Sequence, residues 1–195
     1  MGRLNIWLLA GIVFHLIPVY GENNLDDFMI TSEGPSYTVT TSFTTGCPPE
    51  SLLMAFMKPE HIVSCMKRAN LHIEVLDTAE FHNRIIYIYS YVISKLRLQF
   101  DRSLDTAGKR VNFTLEKSST SGSSVVPRVV SSHGYYSVVV QGGRCLVDYR
   151  QKTTIDRDLN DFYLFFIRRD TRRVLRNQER YVNGGWRHGG AVVVP

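Results

Sequence analysis

The pair Gly142-Gly143 stands between YYSVVVQ and RCLVDYR, two runs that alternate β-branched or aromatic residues with polar ones. Two glycines suit the positive backbone dihedrals of a two-residue hairpin turn. Such a turn pairs Gln141 with Arg144 on one face, so odd positions before it share a face with even positions after it. Ser137, Val139, Gln141, Arg144, Leu146, Asp148 and Arg150 then form the outer, more polar set. Tyr136, Val138, Val140, Cys145, Val147, Tyr149 and Gln151 form the inner one. A hairpin with one apolar face needs further strands and a cover, and the rest of the chain is read for both.

Ser36 to Thr45, SYTVTTSFTT, alternates as a strand does. Pro48 and Pro49 open a short helix, Pro59 breaks it, and a second short helix is expected from about Glu60. Strands follow without helical interruption: Leu71 to Glu80, Arg84 to Ile93, Lys95 to Ser103, Arg110 to Lys117, Val129 to Gln141, and Arg144 to Ile155. Asp158 to Val182 reads as one long helix, with Asp158 as N-cap and Asp161 complementing its dipole. The pattern predicts an α+β domain over 36–182, preceded by a flexible polar lead-in at 22–35. A glycine-rich tail, 183–195, has no periodicity and is expected to be disordered.

This order of elements resembles the helix-grip fold of the START-like (SRPBCC) superfamily, which includes lipid-transfer domains, coenzyme-Q-binding proteins and polyketide cyclases. The stretch YYSVVVQGGRCLVDYRQKTTID, Tyr135 to Asp156, is similar to that superfamily's last hairpin before its long helix. The resemblance implies a curved antiparallel sheet wrapped around the C-terminal helix, with two short helices after the first strand. It carries no catalytic motif, so it speaks to fold more than to function.

Parity assigns the faces elsewhere. A two-residue turn at Ile93-Ser94 or Ser94-Lys95 ties odd positions of RIIYIYSYVI to even positions of KLRLQFD. Leu96, Leu98 and Phe100 alternate with polar residues and face inward, so Tyr87, Tyr89 and Tyr91 do too. Ile86, Ile88 and Val92 are left on the outer face, where a dimer contact or the N-terminal segment would cover them. Val111, Phe113 and Leu115 face in; Asn112, in the sequon Asn112-Phe113-Thr114, faces out. On the long helix Leu159, Tyr163, Phe166, Ile167, Val174 and Tyr181 share a stripe at 100° steps, interrupted by Asp170 and Asn177. Arg169, Arg173, Arg176 and Arg180 flank it.

The inner residues compose a candidate pocket for a hydrophobic small molecule or lipid. From the sheet it takes Tyr87, Tyr89, Tyr91, Leu98, Phe100 and Phe113, with Tyr136, Val138, Val147 and Tyr149 from the last hairpin. From the helix it takes Leu159, Tyr163, Phe166, Ile167, Asp170 and Val174. Such a lining is mainly apolar with a few polar handles, as small-molecule sites are. A filled core, with the tyrosine hydroxyls bonded to backbone or water, is the competing reading. The arginine stripe would be either a solvated helix face or a transient contact for an anionic membrane surface.

Arg3 followed by the apolar run Ile6 to Val19 and the small-residue end at Gly21 reads as a cleaved signal peptide, 1–21, or as a membrane anchor if uncut. Secretion or a periplasmic location follows. Removing the leader takes one arginine and no acid, so the net charge falls from +5 to +4, too little for a dedicated nucleic-acid binder. Cys47, Cys65 and Cys145 suggest one disulfide, Cys47 with Cys65, or three reduced thiols. No metal-ligand spacing, HExxH or phosphate-binding glycine loop is present, and no cofactor is implied. A cyclase-type enzyme would need an inward acid–base set. His61, His72, His82 and His133 are scattered, and only Glu80 and His82 share a strand face. A protein-interaction module is the third class.

Overall fold

The computed structural model describes residues 28–59, 61, 71–91, 94–122 and 126–184. Its strands are β1 (Met29–Glu33), β2 (Ser36–Thr45), β3 (Leu71–Ala79), β4 (His82–Ser90), β5 (Ser94–Asp105), β6 (Arg110–Gly122), β7 (Val129–Gln141) and β8 (Arg144–Ile155). They form one antiparallel sheet in the order β1-β2-β8-β7-β6-β5-β4-β3. Helix α1 (Pro49–Met57) and helix α2 (Asp161–Gly184) lie on its inner side. This is the helix-grip architecture.

Curvature has identifiable causes. Bulges interrupt the ladders between Val75 and Asp77, Gln99 and Phe100, and Val129 and Ser131, and each extra residue bends its strand. Gly134, inside β7, faces Phe113 across the ladder. A Cβ there would stand 2.2 Å from the Arg150 carbonyl oxygen and 2.5 Å from the Phe113 ring, so only glycine admits the ring this close to the backbone.

The Gly142-Gly143 turn has φ of 55° and 77° and pairs Gln141 with Arg144, as the sequence predicts. The tyrosine hairpin differs in detail: its ladder pairs Ser90 with Lys95 and closes where the Tyr91 N–H donates to the Ser94 carbonyl at 2.8 Å. That register differs from the expected ones by even steps, so the faces are unchanged and Tyr87 lies beside Leu98.

Other expectations are corrected. Met29–Glu33, expected within a loose lead-in, is a strand because the turn at Gly34 (φ 54°) folds it back on β2. The long helix starts at Asp161, not Asp158: the Asn160 side-chain oxygen accepts the Tyr163 N–H at 3.0 Å, which makes Asn160 the N-cap. It runs on through Asn183 and Gly184, the first two residues of the stretch expected to be a disordered tail. Glu80 lies in the β3–β4 turn, so it shares no strand face with His82, which instead bonds Asp101. The Cys47 thiol is free and donates to the Val182 carbonyl at 2.9 Å, and Cys145 is free too. The leader, Cys65, Val92, most of the second short helix and the rest of the tail lie outside the described residues.

The outer face of β4 also finds a cover. Ile86 is only 1% exposed. Arg97 on β5 and Glu74 on β3 meet at 3.3 Å, and the pair must cross the outer side of β4 to do so. Long charged side chains from neighbouring strands thus shield Ile86 and Ile88.

Replacing Gly134 with alanine forces the Phe113 ring or the β8 backbone to move and is expected to cost about 2 kcal/mol or more. Urea unfolding of Gly134→Ala checks it; a midpoint equal to wild type contradicts the close approach.

Candidate functional site

Even positions of β5 line the inner face as Leu96, Leu98, Phe100 and Arg102, four side chains spread over about 20 Å of strand. Odd positions of β4 add Tyr87 and Tyr89, and β6 adds Phe113. From β7 and β8 come Tyr136, Tyr149 and Gln151, and from β2 Tyr37. Over them runs α2. Its second half is packed into the protein, with Leu175 and Val182 almost fully buried. The part before it, as far as Val174, presents Tyr163, Phe166, Ile167, Asp170 and Val174 to a space that the sheet does not fill. The result is a cavity of about 340 Å³. Tyr91, 43% exposed, marks its open end, and Val126 and Pro127 form part of the rim.

Rings organise the wall. Phe113 stacks on Tyr149 at 6.0 Å, and Tyr136 stacks on Phe56 of α1 at 4.7 Å, which places α1 at the inner end. Hydroxyls are tied down by side chains: Tyr149 donates to Gln151, whose amide donates to Ser132 at 2.9 Å, which bonds Thr153 at 2.8 Å. Tyr136 and Gln178 bond each other at 2.9 to 3.1 Å. Burial, and then the closeness of the Tyr136, Tyr37, Tyr87 and Tyr89 phenols, pushes the Tyr149 pKa well up. Burial raises Tyr37 as well, with its bond to Thr153 pulling the other way. Tyr149 and Tyr37 are therefore neutral handles rather than bases at ordinary pH.

The inner end is charged. Arg102 is 6% exposed; it donates to the Tyr87 hydroxyl at 3.3 Å and to the Phe56 carbonyl in the last turn of α1. Asn83 donates to the next carbonyl, Met57, at 2.6 Å. The sheet thus caps the C-terminal end of α1, where a cation is favoured by the helix dipole. His61 packs edge-on against Tyr181 at 4.4 Å and Phe56 at 5.6 Å. Burial first, and then the Arg102 charge, lowers its pKa to about 3.

Most of the expected pocket residues line the cavity: Tyr87, Tyr89, Tyr91, Leu98, Phe100 and Phe113, Tyr136 and Tyr149, and the helix residues Tyr163, Phe166, Ile167, Asp170 and Val174. Three do not. Val138 and Val147 face inward but are buried in the core with Leu52, Phe56 and Met57, because α1 fills that end of the sheet. Leu159 precedes the helix and its N–H reaches back to the Gly34 carbonyl at 3.4 Å. The sequence reading missed Arg102, Tyr37, Ser132, Thr153 and Gln178. Arg102 was within reach: it continues the even-numbered series, and only its charge argued against an inward position. Asp170 is half-exposed and lies 3.4 Å from Arg169. The other histidines are elsewhere, His72 beside Glu74 at 3.9 Å, His82 on Asp101 and His133 exposed.

No family model matches this sequence, and no curated protein matches it. Solved structures do match in fold. The STAR-related lipid transfer protein from Xanthomonas axonopodis superposes with a TM-score of 0.56 at 8% identity, covering 80% of this chain and 99% of that one. The Zhui aromatase/cyclase from a Streptomyces species gives 0.55 at 14% identity, covering 80% and 99%. Ginseng major latex-like protein 151 from Panax ginseng gives 0.53 at 13%, covering 76% and 99%. The chain has the helix-grip fold of START-like proteins, as its element order indicated.

The buried histidine sets a pH dependence. Its folded pKa lies below the ordinary 6.5, so protonation favours the unfolded chain. The contribution is complete above pH 6.5 and is lost as pH falls toward 3. At pH 5 the loss amounts to about 2 kcal/mol. Urea unfolding at pH 7 and pH 5 should show wild type losing about that much more than His61→Gln; equal losses contradict it.

Proposed function

We propose that this chain is an exported, noncatalytic binder or carrier of a hydrophobic small molecule held between the sheet and α2. The observation that carries the reading is the cavity, an unfilled 340 Å³ walled by aromatic and aliphatic side chains with a few fixed hydroxyls and amides. That volume falls within the usual range of ligand sites, about 300–1,000 Å³. A pocket at the small end of that range suits a single chain or a few fused rings. The fold neighbours include proteins named for lipid transfer and for aromatase/cyclase activity, which supports a hydrophobic ligand. Export is supported by the leader-like segment 1–21.

Loading from a membrane fits the outer face of α2, the helix that covers the cavity. Phe165 on α2 is 61% exposed, and Arg168, Arg169, Arg172 and Arg173 are exposed on the same half of the helix. Aromatic and basic groups together favour an anionic lipid surface, at about 1 kcal/mol per basic residue close to it.

Filling the cavity from the helix side tests the reading. N-phenyl-naphthylamine, a neutral probe, should bind wild type with enhanced fluorescence, and Val174→Trp should weaken that binding by at least about tenfold while retaining the wild-type circular dichroism. Equal binding by a folded Val174→Trp variant would place the probe elsewhere and sink the proposal.

A further inference from the structure

We infer that the inner end of the cavity is an anion site, and that the ligand is a single-chain amphiphile entering head first with its carboxylate at Arg102. The inference rests on the cavity being a ligand site. Arg102 is 94% buried by its 6% exposure and lines the cavity, yet it meets no acidic side chain among the described residues. Its Nε–H has no acceptor among the described residues. A buried guanidinium in that state is costly unless a counter-charge arrives. The carbonyl end of α1 supplies part of the compensation, equivalent to about half a charge at most. The remainder calls for an anion.

The surroundings fit a carboxylate. Tyr87 accepts a hydrogen bond from Arg102, which leaves its own O–H to donate, so an arriving head meets a cation and a hydroxyl donor together. Asp170, the acid in the lining, lies on α2 beside Arg169 and bonds it, away from the α1 end. The neutral His61 adds no charge near Arg102 at ordinary pH. Away from Arg102 the wall turns apolar along Phe100, Leu98 and Leu96 toward Tyr91, a path of about 20 Å that a single extended chain can follow.

Calorimetric titration of the folded protein with decanoate, methyl decanoate and decanol tests this. Wild type should bind decanoate at least about tenfold tighter than the ester or the alcohol, the worth of one charge-assisted contact. Arg102→Gln should lose that preference, and Arg102→Lys should keep part of it, the ratio of decanoate to decanol affinity within each protein being the readout. A preference that survives in Arg102→Gln overturns the assignment to Arg102. Equal wild-type affinity for decanoate and decanol overturns the anion site but leaves the hydrophobic cavity standing. Failure to bind any of the three overturns this inference, and the N-phenyl-naphthylamine titration then decides whether the carrier reading falls with it. Should Arg102→Gln not fold, the ester contrast in wild type decides whether charge is recognised, and Tyr87→Phe, which removes the hydroxyl donor, decides where: an unchanged decanoate preference there places the head elsewhere.

Discussion

An open antiparallel sheet with one apolar face must be covered, and here the cover is smaller than the face. Helix α2 has 24 residues, about 36 Å of cylinder, and only its second half is packed tightly through Leu175, Gln178 and Val182. Helix α1 fills the sheet's other end, over Val138 and Val147. The rings on β4, β5 and β6 are left facing the first half of α2 across a gap. Tyrosine suits such a boundary, because its ring is apolar and its hydroxyl can be fixed by a neighbour. The Tyr149–Gln151–Ser132–Thr153 chain and the Tyr136–Gln178 pair do this, so the wall is rigid without being filled.

The inner end couples fold to function. Arg102 and Asn83 tie the sheet to successive carbonyls of α1, and the stacking of Phe56 on Tyr136 brings that helix against the wall. The same cation helps to hold His61 neutral. One guanidinium thus serves as a helix cap, as an electrostatic constraint on its neighbour and as the one cation in the lining of the cavity among the described residues. A buried charge retained for the first role alone would be replaceable by an apolar residue at little cost, which is why the third role matters.

Much of this was legible in the sequence. The Gly142-Gly143 turn set the register of β7 and β8, and side-chain alternation carried the faces to β4, β5 and β6, because the tyrosine hairpin departs from its expected register by an even number of pairing steps. Local features with no period were not legible. The strand at Met29–Glu33 depends on a turn at Gly34 and on an edge of β2 that no local pattern announces. Arg102 escapes a reading built on apolar alternation because it is charged; its partner is a helix terminus distant in the chain. Val138 and Val147 were placed on the correct face but at the wrong end, since parity gives direction and not depth. Leu159 fell outside the helix because Asn160, not Asp158, supplies the cap.

The central claim is that the space between sheet and helix holds a molecule. Native mass spectrometry of the protein as purified from its own cells, followed by organic extraction, measures this directly. The structure predicts a one-to-one adduct that is released into the organic phase as a hydrophobic compound with a single chain or a few rings. A bare protein mass that takes up no hydrophobic compound on incubation contradicts it, and would mean that the cavity is only a gap in the core.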